Sequence, residues 1–140
     1  MNLPVLILLG YAGWTLLILA ASVGVYRWSR ILTGRASIVG FPADAAQGSP
    51  WYQRATRAHL NCLENLPIYA AIVLALEATG LRSEFIDWLS MTMMAARIIQ
   101  TSVHVGLVQT SAVVSVRFGF YSVQFVCMVT MGIMTAARAI

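Results

Sequence analysis

Between Arg54 and Pro67 the chain reads RATRAHLNCLENLP, with two arginines, an asparagine and a glutamate inside a stretch that is turning apolar. At ~100° per residue on a helix, Arg57, Asn61 and Glu64 fall within roughly 60° of one another, and Arg54 stands one turn earlier on the same side. Two more stripes follow by three-and-four spacing: Arg97, Gln100, Thr101 and His104, then Arg117, Tyr121 and Gln124. Each ionisable group at membrane depth costs at least ~2.5–3.5 kcal/mol on insertion scales, so such groups face the protein interior and commonly act there.

The chemistry follows from the groups within reach, which are mostly cationic with a single carboxylate, Glu64. Arginine forks take carboxylates by paired hydrogen bonds, and a glutamate takes an ammonium. The rise from Arg57 to Glu64 is ~10 Å, about the length of an extended tripeptide. A ligand with several carboxylates and one amine fits that pattern, and glutathione is such a ligand. Its thiol would also give a cation at the start of the last helix a purpose, because nearby positive charge favours the nucleophilic thiolate. Arg117 is the best-placed residue for that role.

Simpler readings stand beside this one. Arg57 with Glu64, or Arg97 with a partner, could be paired only to hold helices together. His59 lies roughly 160° from Arg57 and reads as a packing or interface residue. His104 is on a stripe, yet near a helix end it could equally bond a loop. Met91, Met93 and Met94 read as apolar filler or as the lipid-facing wall of a substrate cleft. Pro67, a turn past Glu64, is expected to kink its helix and free carbonyls.

The elements that must position these groups are membrane helices. Of 140 residues, 59% are hydrophobic and 10% charged, and the mean hydropathy of +0.77 is too apolar for a soluble domain of this size. A span needs ~20 apolar residues, which predicts four helices, over about 3–27, 52–78, 84–108 and 112–138. The expected fold class is an all-α, four-transmembrane-helix bundle forming one domain over 1–140. Residues 3–27 lack a basic leading segment and are too long for a signal peptide. Trp28, Trp51 and Trp88 fall near span ends as interfacial anchors.

All nine basic residues are arginine, and the net charge is +4. Arg27, Arg30, Arg35 and Arg54 flank the long first connection, which puts the first and third connections in the cytoplasm and both termini outside. Span-flanking arginines explain the positive charge better than nucleic acid does. The two cysteines, Cys62 and Cys127, read as free and buried, and no metal-ligand spacing occurs. A bacterial inner membrane is the expected location.

The segment Arg57-Ala58-His59-Leu60-Asn61-Cys62-Leu63-Glu64-Asn65-Leu66-Pro67 resembles the signature of the MAPEG family, the membrane-associated proteins in eicosanoid and glutathione metabolism. Every defined position of R-A-x-x-N-x-x-E-x-x-P is present, and Val116-Arg117-Phe118 followed by Tyr121 is a weaker match in the last helix. The resemblance implies a homotrimer with glutathione, as co-substrate, bound between subunits in the cytoplasmic half. Arg57, Asn61 and Glu64 would bind it, Arg117 would stabilise the thiolate, Tyr121 would add a contact, and Arg27 or Arg30 would supply the arginine expected at the end of helix one. Arg54, Gln100 and His104 complete the expected set. Gln100 and His104 stand where several enzymes of the family have tyrosines, and Phe118 where one synthase has a serine. The expected activity is glutathione transfer, with peroxidase activity a further option, to a hydrophobic molecule or lipid arriving from the bilayer. The alternatives are a non-catalytic lipid binder of the lipoxygenase-activating type and a small multidrug transporter, although a carrier of cations would not line its path with arginines.

Overall fold

The computed structural model describes residues 2–42 and 47–140. Four long helices account for the described chain: α1, Leu3–Leu32; α2, Pro50–Thr79; α3, Glu84–Gly106; and α4, Ser111–Ala139. Helix α1 starts with a proline in its first turn, where the missing N–H removes no helical bond, and widens into a π-helical stretch over Leu19–Gly24. It then continues to Leu32, five residues past the expected end, so Arg27 and Arg30 ride on the helix and not on the connection. The other three boundaries fall within two residues of those predicted.

The helix ends are set by local chemistry. Ser49, Ser83 and Thr110 each cap a start by accepting a backbone N–H, from Tyr52, Phe85 and Val113 respectively. Gly80 closes α2 in the left-handed region, with φ 64°. Pro67 sits inside α2, which nonetheless runs unbroken from Pro50 to Thr79. Its ring withdraws one backbone donor from the ladder, while the Asn65 side chain adds one by donating to the Asn61 carbonyl at 3.1 Å.

Antiparallel order is fixed at both ends of the bundle. At one end Asn2 donates to Glu77, and the Tyr69 hydroxyl reaches the Pro4 carbonyl at 3.4 Å. Arg82 pairs there with Glu77 at 3.0 Å. At the other end Val23, Tyr52 and Ala55 pack with Tyr26, Phe41 and Val105, so the first and third connections lie together. The main core between them gathers Tyr11, Cys62, Tyr69, Val73, Leu76, Ile86, Met93 and Met131. Met93 is therefore core filler, with Met94 packed against the same cluster. Cys62 and Cys127 are buried and free.

Three of the four helices, α1, α2 and α4, are long and apolar enough to cross a membrane by length and composition. The expectation of four such segments needs correcting for α3, which falls short because Glu84, Asp87, Arg97, Gln100, Thr101 and His104 crowd into 23 residues. Its pattern supplies the physical reason. Ser90, Arg97, Gln100, Thr101 and His104 are buried, while Phe85, Trp88, Ile98 and Ile99 are exposed. Polar inside and apolar outside inverts the rule for water and suits a helix whose outer solvent is lipid and whose polar groups are turned into the bundle.

Candidate functional site

Helix α2 carries the framework of the site. Arg54, Arg57, Asn61 and Glu64 follow one another up one face, and the groove beside them is bounded by His104 from α3 and Arg117 from α4. A cavity of ≈300 Å³ is lined by Arg57, Leu60, Asn61, Glu64, His104 and Arg117. It continues on one side into a cavity of ≈250 Å³ lined partly by Arg54, Arg57, His104 and Gln109. On the other it meets one of ≈210 Å³ bounded by Asn61, Gln100, Val114, Arg117, Phe118 and Tyr121. Eight of the ten residues singled out from the sequence thus line one connected set of recesses: Arg54, Arg57, Asn61, Glu64, Gln100, His104, Arg117 and Tyr121.

The geometry separates residues held in place from residues left free. Arg54 is anchored, its Nε donating to the Val105 carbonyl at 3.2 Å at the end of α3. Gln100 accepts from Gln124 Nε2 at 2.9 Å, a buried bond that joins α3 to α4 under the groove. Arg57 and Glu64 are exposed, and neither forms an ion pair; among the described residues the one ion pair is Arg82 with Glu77. The purely structural pairing of Arg57 with Glu64 therefore fails. Three cations and one carboxylate converge on an open space without neutralising one another, which is how a site for a ligand of opposite charge pattern is built.

Arg97 behaves differently from the rest of its stripe. It is 1% exposed, lies 5.4 Å from the centroid of the Tyr11 ring, and donates through Nη1 to Asn61 Oδ1 at 2.5 Å. Its Nε and Nη2 have no hydrogen-bond partner in the protein. Arg97 thus points into the bundle, below the groove floor. Its effect on the site is indirect: with the Asn61 acceptor occupied, the amide nitrogen of Asn61 is the end left to face a ligand, and that end is a donor.

Arg27 and Arg30 are not brought to this groove within the subunit. Arg27 Nε donates to the Tyr52 hydroxyl at 2.7 Å and its guanidinium lies over Phe41 and Tyr52. Arg30 lies over Tyr26 and lines a separate recess formed by the first connection. His59 is buried off the groove face, as its angle predicted.

Gln109 and Val114 escaped the sequence reading. Gln109, on the short connection before α4, accepts from Arg117 Nη1 and so ties that guanidinium to the groove mouth. Reading helix faces alone passes over a residue in a connection. Val114 and Phe118 form an apolar lip beside Arg117, and Phe118, considered only for its chemistry, supplies greasy surface next to the cation.

Inverted polarity and three long apolar helices define an integral membrane protein, with a groove at one end lined mostly by cations. The chain belongs to the MAPEG family, whose sequence model matches residues 5–137, nearly the whole length. The family contains glutathione transferases and related enzymes as well as non-catalytic members. Searches of curated proteins and of solved structures gave no match.

Proposed function

We propose that this protein is an integral membrane glutathione transferase that activates the thiol of glutathione for attack on lipophilic electrophiles, with lipid hydroperoxides as further acceptors. The observation that carries the reading is the set of unpaired charges on one groove: Arg57, Arg117 and Glu64 face the same recess with no ionic partner of their own. Glutathione has two carboxylates, one ammonium and a thiol: Glu64 complements the ammonium, Arg57 and Arg54 of the adjoining recess the carboxylates, and Arg117 the thiolate. Arg57 takes a carboxylate, Glu64 takes the amine, and Asn61 offers an N–H because Arg97 holds its carbonyl.

Arg117 stabilises the thiolate. It stands in the second turn of α4, so the cation that favours the thiolate is its own guanidinium, held at the groove mouth by Gln109. The thiolate sulfur attacks the electrophilic carbon of the acceptor, forming the thioether as the leaving group departs or the double bond accepts the electron pair. The acceptor reaches the sulfur over Val114 and Phe118, the part of the groove continuous with the lipid-facing surface.

Arg57 and Glu64 are exposed in the isolated subunit, and charge exposed to lipid is costly. A neighbouring copy covering the groove removes that cost, which supports a homotrimer with the ligand between subunits. In that assembly Arg27 or Arg30 of one subunit approaches the groove of the next. The membrane is a bacterial inner membrane, with the arginine-rich end in the cytoplasm.

Titration calorimetry on the detergent-solubilised protein tests the reading. Glutathione binds wild type, and Arg57→Ala weakens binding by about 1.5–3 kcal/mol, the range for a hydrogen bond to a charged group. Equal affinities would remove the groove from consideration. Binding without conjugation of any model electrophile would favour the lipoxygenase-activating type of binder.

A further inference from the structure

Helices α3 and α4 give the recess beyond Arg117 a wall of fixed polarity. Two primary amides stand there, Asn61 from α2 and Gln100 from α3, beside Val114, Arg117, Phe118 and Tyr121. A primary amide can show a ligand either its oxygen or its nitrogen, and the bonds it makes elsewhere decide which. Arg97 only donates, so the end of Asn61 that it holds at 2.5 Å is the oxygen. Gln124 settles Gln100 through one further step. A backbone carbonyl only accepts, so the end of Gln124 that meets the Phe120 carbonyl at 2.9 Å is Nε2. The same nitrogen reaches Gln100 at 2.9 Å, and the atom it meets there is Oε1. Both glutamines are buried, and Gln100 cannot turn its amide over without setting two N–H donors against each other.

Gln100 therefore offers the recess an N–H and no acceptor. Next to it are Arg117, the partner of the thiolate, and the exposed apolar lip of Val114 and Phe118. The carboxylates of glutathione have guanidinium partners in Arg57 and Arg54, stronger donors to a carboxylate than a neutral amide. A neutral donor beside the sulfur and an apolar entry suits an uncharged electrophile that carries a carbonyl oxygen. When a thiolate adds to a conjugated carbonyl compound, the sulfur bonds to the β-carbon and the carbon–carbon π pair moves toward the carbonyl. The oxygen gains the charge that the sulfur loses, and the enolate then takes a proton from water at the α-carbon. A donor already aimed at that oxygen binds more strongly as charge arrives, which lowers the barrier. In displacement of an alkyl halide the charge leaves with the halide, and no oxygen is present to receive the donor.

From this geometry we infer that Gln100 donates to the carbonyl oxygen of the second substrate and selects α,β-unsaturated carbonyl compounds as acceptors. Gln124 is the positioning residue that keeps the Gln100 nitrogen turned to the recess. The inference rests on the transferase reading and names the acceptor class of the same site.

Turnover of the full chain in detergent, at saturating glutathione, with benzylideneacetone as the enone and benzyl chloride as the halide, tests it. Wild type should conjugate both. Gln100→Met is close in length and leaves Gln124 its bond to the Phe120 carbonyl. The ratio of kcat/KM for the enone to that for the halide should fall about tenfold in this variant, short of the roughly 10²–10³ lost with a donor of an enclosed oxyanion hole. Gln124→Met should lower the same ratio about threefold, because the Gln100 amide can then turn its oxygen to the recess. A ratio that stays at the wild-type value in Gln100→Met, whether both rates hold or both fall, overturns the inference. An unmoved ratio in Gln124→Met overturns the positioning role. A calorimetric loss of glutathione affinity as large as the loss of enone turnover would assign the amide to glutathione instead. Wild type that conjugates benzyl chloride but not the enone keeps the transferase and overturns the acceptor class, and wild type that conjugates neither overturns both.

Discussion

Arg117 and Arg97 have the same side chain and opposite situations, and the difference lies in what each guanidinium touches. Arg117 lines the groove and is held from outside by Gln109, with its Nε lacking a protein partner. Arg117→Ala should leave glutathione binding largely intact while lowering conjugation of a model electrophile at pH 7. The thiol of bound glutathione should titrate at higher pH, because the positive charge that favours the thiolate is gone. Thiolate absorbance against pH, read beside turnover, decides the matter; superimposed titrations with equal turnover would move activation to His104 or Tyr121. Arg97 is buried and spends one N–H on Asn61. Arg97→Met keeps length and apolar bulk while removing a poorly satisfied buried charge, so stability should change by no more than about 1 kcal/mol. The freed Asn61 amide should nevertheless reorient, and glutathione affinity should fall by about 1 kcal/mol. A melt and a calorimetric titration separate the two effects, and an unchanged affinity would show that Asn61 does not depend on Arg97.

At the scale of the element, the short segment leading into α2 decides how α1 meets the rest of the bundle. Tyr26 and Tyr52 stack with ring centroids 4.2 Å apart, and the Tyr26 hydroxyl accepts the Ser49 N–H at 3.2 Å. Gly48 makes this closeness possible: its φ is 133°, and a Cβ there would stand 2.5 Å from the Tyr26 hydroxyl oxygen. Gly48→Ala combines a strained backbone with a clash, so it should destabilise the protein by roughly 1–3 kcal/mol. A lowered thermal midpoint would register the loss. An open position such as Gly132, where nothing lies within 4 Å of a Cβ, gives the contrasting control, since Gly132→Ala should be neutral or stabilising on a helix.

For the whole molecule, the exposed charges of the groove set the terms of assembly. Arg57 and Glu64 are open to the outside of the subunit, and lipid is a poor solvent for both. The protein extracted in mild detergent should therefore appear as a trimer in native mass spectrometry, with Cys62 and Cys127 still reduced. A population of monomers alone would contradict the shared groove, and an intramolecular disulfide would contradict the buried, separate thiols.

The sequence by itself determined the helices, because hydropathy and end signals are local: Ser49, Ser83, Thr110 and Gly80 cap or close the segments they adjoin. It also determined which residues share a helix face, since a period of 3.6 places Arg57, Asn61 and Glu64 together whatever surrounds them. The far reach of α1 was not legible, because Arg27 and Arg30 read as the end of a span, whereas the helix runs on to Leu32 with Tyr26 stacked on Tyr52 and Arg27 bonded to the Tyr52 hydroxyl. Tertiary structure alone decided the direction in which each stripe is used. Periodicity states that Arg97 and His104 share a face, but not that the first donates into the core to Asn61 while the second opens on the groove. That choice depends on contacts between residues 36 positions apart, and such pairings are set by how the helices pack, which no local pattern records.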